Sequence, residues 1–316
     1  MSKRIQKDHE SLQASLRLML KKHNNADEKS KTRSTKSPSH STAAHRSHRL
    51  NQALADMKDL GINLKNVNQL RSTHIEKLVG HWVDQIKNEE LAISTVKNKM
   101  TDLRWLADKI DKQNIVKRTN IEYGIENRQY VNNEINIAKT LDDTELSKIT
   151  DENIKLSLQL QQEFGLRREE AIKFQPDYAD KVDRIVLKSS WTKGGRAREI
   201  PVLNEKQRSL LNRIHEHCQK NGSKSLIPTN KSYKQQLKTY VYQTSKADIR
   251  NNHGLRHNYA QERYKALTDR DSPKMGGLTY RQMNTVIKQR DYEARMIISR
   301  ELGHGREEVT AVYLGR

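Results

Sequence analysis

The chain has 316 residues, 34% of them hydrophobic and 5% aromatic, with a single cysteine and a formal charge of +20. That length accommodates two domains of roughly 100–200 residues each. One cysteine, Cys218, excludes an internal disulfide framework and any Cys-x-x-Cys metal site.

No apolar run approaches the roughly 18 residues needed to span a membrane. The start Met1-Ser2-Lys3-Arg4 lacks the apolar stretch of a secretory signal. The surplus of Lys and Arg attracts polyanions whatever the fold, and nucleic acid leads because neutralising phosphates releases condensed counterions. The expectation is an intracellular, metal-free protein with nucleic acid as its leading partner.

Residues 1–49 read as a basic N-terminal arm, with seven Lys and five Arg against four acidic residues. From Asn24 to Arg49 the arm is Ser, Thr, Lys, His and Arg with almost no large apolar groups. Such a segment buries too little surface to offset its ordering entropy, so flexibility is expected. Ahead of that stretch Leu12, Leu16, Met19 and Leu20 recur at helical spacing. They predict one short amphipathic helix that either packs on the next domain or reads DNA.

Residues 50–117 carry a helical pattern throughout, through Leu54, Met57, Leu60, Ile75, Leu78, Val79, Trp82 and Ile86, then Leu91, Val96, Met100, Leu103, Leu106 and Ile110. Ser72 and Ser94 stand where N-caps would begin helices, and Gly61 ends the first. This is a small helical bundle. Its Lys97, Lys99, Arg104 and Lys109 are spaced to cover a DNA-facing surface, or else a solvated face. Residues 118–140, polar and Asn-rich with Tyr123 and Tyr130 nearby, read as a linker.

A second domain, 141–316, opens at Leu141-Asp142-Asp143, which caps a helix carrying Leu146 and Ile149. A further helix carries Ile154, Leu156, Leu158 and Leu160. The one clear β signal follows: Arg184-Ile185-Val186-Leu187 and Glu199-Ile200-Pro201-Val202 flank the turn signal Lys193-Gly194-Gly195. The remainder is helical. The predicted fold class is mainly α with a small β-hairpin, in two domains behind a basic arm.

Chemistry enters through scattered residues: Arg167 in Gly165-Leu166-Arg167-Arg168-Glu169-Glu170, then His253-Gly254-Leu255-Arg256-His257, then Leu302-Gly303-His304 and, nine residues later, Tyr313. Each is unremarkable alone. Their order and spacing resemble the catalytic domain of the tyrosine recombinases, also called the phage integrase family, over about residues 141–313. The region 50–117 is similar in size and position to that family's core-binding domain.

The resemblance implies catalytic roles for Arg167, Lys193, His253, Arg256, His304 and Tyr313, with Glu170 orienting Arg167. In pentacoordinate phosphorus, charge grows on the non-bridging oxygens. Two guanidiniums clamp those oxygens in bidentate fashion and stay protonated at any working pH. His304 adds a hydrogen bond, His253 exchanges the phenol proton, and the family's hairpin lysine, here Lys193, protonates the departing 5′ oxygen. A phenol of ordinary pKa near 10 is a weak nucleophile and needs such help. The bond energy stays in a 3′-phosphotyrosine, so neither ATP, a metal nor any other cofactor is expected.

Alternatives remain at several positions. Arg168 could replace Arg167 as the clamp, Lys188 or Arg196 could replace Lys193, and Tyr259, Tyr264 and Tyr280 are rival nucleophiles. His257 reads as a core or helix-face histidine. Two departures from the family pattern stand out. Arg256 and His304 lie 48 residues apart, about twice the usual separation, so residues 265–290 form an insertion that is either a surface loop or a DNA or partner contact. Only Leu314-Gly315-Arg316 follow Tyr313, so exchange of a C-terminal tail between protomers is not expected, and the helix around Leu12–Leu20 is a substitute candidate. The implied function is a site-specific recombinase, cytoplasmic and nucleoid-associated, a homotetramer on double-stranded DNA attachment sites with possible accessory DNA-bending proteins, serving a mobile genetic element. The alternatives are a type IB topoisomerase and a DNA-binding regulator of the same fold.

Overall fold

Apolar side chains at three- and four-residue steps build the first of two units into which the chain divides, one up to residue 129 and one from residue 130. The computed structural model describes residues 11–24, 38–127 and 131–316. In the first unit lie α1 (Leu12–His23), α2 (His40–Asp59), α3 (Ser72–Lys87) and α4 (Ile93–Lys109). Their inward faces bury Leu16, Leu54, Met57, Leu78, Trp82, Met100 and Leu103 in one core. The Trp82 indole N–H reaches Asp56 Oδ2 at 2.7 Å, which satisfies its buried donor.

Three local expectations need correction here. The stretch read as a flexible arm becomes helical at His40: Ser39 caps the Thr42 N–H at 3.1 Å, and Arg46 and Arg49 reach the buried Asp102 at 3.3 and 2.5 Å. Composition alone hides this, because the partner carboxylate is more than fifty residues away. Residues 1–10 and 25–37 of that arm lie outside the described residues. α1 packs inside its own unit, with Leu16 fully buried and the Ser15 hydroxyl accepting the Val67 N–H at 3.0 Å. That occupies the face proposed as a link between protomers.

Ser72 and Ser94 cap nothing. The caps are Arg71 and Ala92, without side-chain bonds, because burial of Ile75 and Val96 draws each first turn ahead of the serine. Gly61 does end α2, at φ +76°. Its N–H reaches Lys58 O and the Ile62 N–H reaches Met57 O, each at 2.9 Å, the paired closure that favours glycine.

The stretch read as a linker is docked at both ends. Ile125 is buried in the first core. In the second unit Gln261 Nε2 donates to Asn136 Oδ1 at 2.9 Å, and the Lys139 N–H reaches Gly254 O at 3.2 Å.

The second unit holds α5 (Asp143–Ser147), α6 (Glu152–Phe164), α7 (Arg168–Ile172), α8 (Pro176–Ala179), β1 (Arg184–Leu187), β2 (Arg198–Pro201), α9 (Glu205–Lys220), α10 (Tyr233–Lys246), α11 (His253–Thr268), α12 (Thr285–Glu301) and α13 (Ala311–Leu314). Asp142 caps α5 with Glu145 reaching back, as its sequence suggests. β1 and β2 form an antiparallel pair, the only sheet among the described residues, with Ile185 opposite Ile200 and Leu187 opposite Arg198. Ile185, Leu187 and Ile200 face a core that includes Phe164, Phe174, Leu211, Ile298, Leu302 and Leu314. The connection is longer than a tight turn. It runs through a 3₁₀ turn, Ser189–Trp191, whose buried Trp191 packs edge-on against Tyr178. The fold is therefore mainly α with one small hairpin, as expected from the sequence.

Candidate active site

Three arginines converge on the C-terminal end of α12. The last carbonyls of a helix have no partner within it, and the helix dipole favours cations there. Glu301 O accepts Arg198 Nε at 2.8 Å. Leu302 O accepts Arg167 Nη2 at 3.2 Å and also Arg256 Nη2. Two arginines from motifs 89 positions apart thus reach one oxygen atom. Arg256, only 1% exposed, further donates through Nη1 to Gly165 O. Gly165 closes α6 at φ +59°, and a Cβ there would lie 2.6 Å from Tyr259 Cδ1.

Glu170 locks two of these arginines together. It accepts the Arg167 backbone N–H at 2.7 Å and Arg167 Nη1 at 2.9 Å, and a two-pronged contact from Arg198 at 2.8 and 2.6 Å. Those donors fill the roughly four lone-pair sites of a carboxylate. Burial opposes ionisation of Glu170, but the Arg198 bonds and charge, aided by Arg167, outweigh it and bring its pKa down to about 2. Three guanidiniums against this one carboxylate leave a positive surplus.

Tyr313 meets that surplus. Arg256 Nε donates to its hydroxyl at 3.3 Å, and His304 Nε2 lies 3.3 Å from the same oxygen. The His257 ring packs 4.6 Å from the phenol ring, and the His253 ring lies at 6.1 Å. Burial first, then Arg256, Arg167 and Arg198, hold the His304 pKa down to about 4. Burial, His253, Lys274 and Arg256 bring His257 to about 3. His253 stands exposed at the mouth, yet partial desolvation and the two arginines still lower its pKa. At neutral pH His257 and His304 are therefore uncharged, and His304 can either donate to or accept from the phenol.

Arg167, Arg256, His304, Tyr313 and Glu170 are thus brought together, with His253 at the rim. Lys193 is not joined to them. It is exposed on the turn where Gly194 and Gly195 take φ +82° and +67°, and it bonds to no described residue. Of its alternatives, Lys188 is held by Gln175 at 2.7 Å, whereas Arg196 Nη1 would lie 3.3 Å from a Cβ placed on Gly305, beside His304. Arg168 lies over the Tyr240 ring. Among the rival tyrosines, Tyr259 donates to Glu301 at 2.9 Å and Tyr264 to Asp291 at 2.7 Å, while Tyr280 is exposed.

The four basic residues of the first unit divide. Lys99 is no surface cation: it is buried, pairs with Asp56 at 3.0 Å and sits over the Trp82 ring. Arg104 is committed to Lys117 O at 2.9 Å and Asn120 Oδ1 at 2.8 Å. Lys109 pairs with Asp108 at 3.0 Å, and Lys97 reaches Asn127 Oδ1 at 3.5 Å.

Sequence reading missed Arg198 and, around it, Glu301. A signal existed: β2 alternates, and Arg198 shares the inward face with Ile200. A charge at an inward strand position demands a partner.

Known proteins bear on this geometry in two ways. A family model described as "Integrase" matches residues 133–262, and one described as "Phage integrase, N-terminal" matches residues 26–116. No curated protein matches the chain. Among solved structures, a lambda integrase dimer bound to a core site superposes with a TM-score of 0.55 at 14% identity, covering 98% of this chain and 79% of that one. The integrase of transposon Tn1549, in complex with circular intermediate DNA, gives 0.51 at 15% identity, with 96% and 95% covered. These likenesses concern the fold, and the two matched regions together span more than half of the sequence. The chain belongs to the tyrosine recombinase, or phage integrase, family.

Proposed function

We propose that this protein is a site-specific DNA recombinase that cuts and rejoins strands through a 3′-phosphotyrosine on Tyr313, in the integration or excision of a mobile element. The observation that carries the reading is the common reach of Arg167 and Arg256 to one oxygen, Leu302 O, beside the Tyr313 hydroxyl. Guanidiniums so placed offer their free N–H donors to the two non-bridging oxygens of a phosphodiester. Preorganised donors of that kind are worth about 10²–10³ in rate each.

In this reading the Tyr313 oxygen attacks phosphorus, and the P–O bond to the 5′ oxygen breaks. Neutral His304, 3.3 Å from the phenol oxygen, is placed to take the proton in the stead of His253, whose ring lies 6.1 Å from the phenol ring. Lys193, on its glycine turn, gives a proton to the departing oxygen once duplex DNA brings it in. One phosphoester replaces another, so reversal by a 5′ hydroxyl of the second duplex rejoins the strands. Exchange between two duplexes calls for four protomers on DNA. The lambda integrase structures include a tetramer bound to a Holliday junction, which supports that stoichiometry here.

A pool of nicked random-sequence duplexes, in EDTA, tests the proposal. The enzyme is expected to become covalently attached to a recoverable subset of sequences. Tyr313→Phe should retain DNA affinity and attach to none. Adduct formed by the Phe variant would reject the nucleophile, and relaxation of supercoiled plasmid without a preferred site would shift the reading to a type IB topoisomerase.

A further inference from the structure

The backbone on both sides of Tyr313 is held by side chains from four separate stretches of the second unit. Lys274 Nζ donates to Val312 O at 2.9 Å, and Gln261 Nε2 to Tyr313 O at 3.0 Å. Arg295 Nη1 donates to Gly315 O at 3.0 Å. Asn133 Nδ2 donates to Arg316 O at 2.6 Å, and its Oδ1 accepts the Arg316 N–H at 3.0 Å. A single helical turn such as α13 cannot hold itself, because nucleating a helix is unfavourable and its last carbonyls are unpaired. Outside donors supply what the turn lacks.

The donors are themselves fixed. Arg295 is fully buried and held by Asp291 at 2.8 and 2.9 Å, and Asp291 also accepts the Tyr264 hydroxyl. A Cβ on Gly315 would lie 2.6 Å from Asn133 Oδ1 and 3.1 Å from the Lys274 backbone nitrogen, so the segment is boxed in on two sides. Leu314 adds an apolar anchor, fully buried in the unit's core. Lys274 and the opening of α12 come from the insertion between Arg256 and His304. Ser272 and Pro273 of that insertion are buried, so it is no loose surface loop.

We propose that Lys274, Gln261, Arg295 and Asn133 are positioning residues that clamp the main chain of residues 312–316, aiming the Tyr313 phenol at the guanidiniums of its own chain before DNA arrives. The chemistry of this statement rests on the function proposed above; the backbone clamp does not. The insertion is then the device that holds the nucleophile's segment within its own protomer.

Two readouts on the full chain separate these parts. Lys274→Met keeps the stem and removes the donor, Gln261→Met removes a second one, and Lys274→Arg keeps a donor as the conservative control. In the free protein, hydrogen exchange at the Gly315 and Arg316 amides should be about tenfold faster in both Met variants, with α11 and α12 unchanged and Lys274→Arg near wild type. Unchanged exchange in both variants would overturn the clamp whether or not the protein proves to be a recombinase.

On nicked DNA at saturation, the single-turnover rate of adduct formation should fall by about 10–100-fold with affinity within about twofold, as for small misplacements of a reacting group. A loss confined to affinity would make Lys274 a phosphate contact and sink its positioning role. Mixing Tyr313→Phe with Arg167→Gln should give no adduct, since neither chain has both parts. Adduct from the mixture would show the tyrosine serving a partner's site, and the own-chain aim would be wrong.

Discussion

Among the described residues, Arg198 and Glu170 form the one ion pair whose two members are both buried and both tied to the arginine cluster, with side-chain exposures of 5% and 0%. Removing one partner of such a pair leaves an uncompensated charge in the interior, which costs about 3–5 kcal/mol. Arg198→Ala should therefore lower the stability of the second unit by about that amount in urea unfolding, and it should free Arg167 from its brace. An unchanged midpoint would mean that the Glu170 carboxylate finds water instead. The residue scale also shows where reading a sequence is sound and where it stops. Arg167, Arg256, His304 and Tyr313 were legible because their order and spacing are distinctive. Lys99 was misread as a DNA-facing cation because a helix-face pattern cannot reveal Asp56, 43 positions earlier, or the Trp82 ring beneath the ammonium.

At the scale of elements, the site depends on one junction, where α6 ends at Gly165 and α7 begins behind Arg167. The Gly165 carbonyl receives Arg256, and the left-handed conformation turns the chain so that Arg167 points back to Leu302 O. Gly165→Ala would place a methyl in contact with Tyr259 and force a non-glycine residue into the αL region, at a cost of about 1–3 kcal/mol. Stability should fall by that much, and covalent attachment to nicked DNA should fall with it, because the methyl would also press on Leu302, whose carbonyl holds Arg167 and Arg256. A variant of wild-type stability and activity would show that the junction relaxes freely. The hairpin strands were legible from alternation, apart from a one-residue shift of β2. Their connection was not, because Trp191 buries itself and draws Ser189–Trp191 into a 3₁₀ turn that no local turn signal announces. The helical start at His40 was hidden for a similar reason, since long-range partners for Arg46 and Arg49 outweigh a composition that looks disordered.

Across the whole molecule, the cationic site makes stability depend on pH in two successive windows. His257 and His304 have folded pKa values of about 3 and about 4, below the ordinary 6.5. Protonation therefore favours the unfolded chain, so their contribution is full above pH 6.5 and is lost as pH falls toward 4 and then 3. Glu170, at about 2 against an ordinary 4.5, adds a second loss that begins below pH 4.5. The denaturation midpoint should thus decline from neutrality downward, and more steeply below pH 4.5. His304→Gln should flatten part of the upper window only. A profile that is level from pH 7 to 5 would mean that the histidines are solvated and that the guanidiniums do not act on them.

One feature separates binding an anion from cutting it. Every other charged group of the site is braced before any substrate comes, yet Lys193 hangs free on its pair of glycines. In the proposed chemistry it is the acid that lets the 5′ oxygen depart. A mononucleotide diester, too small to press that loop into place, would lodge between the arginines and leave intact. On that proposal the loop would act as a safety catch, released only by the width of a double helix, and it would spare the cell's small phosphodiesters from the tyrosine.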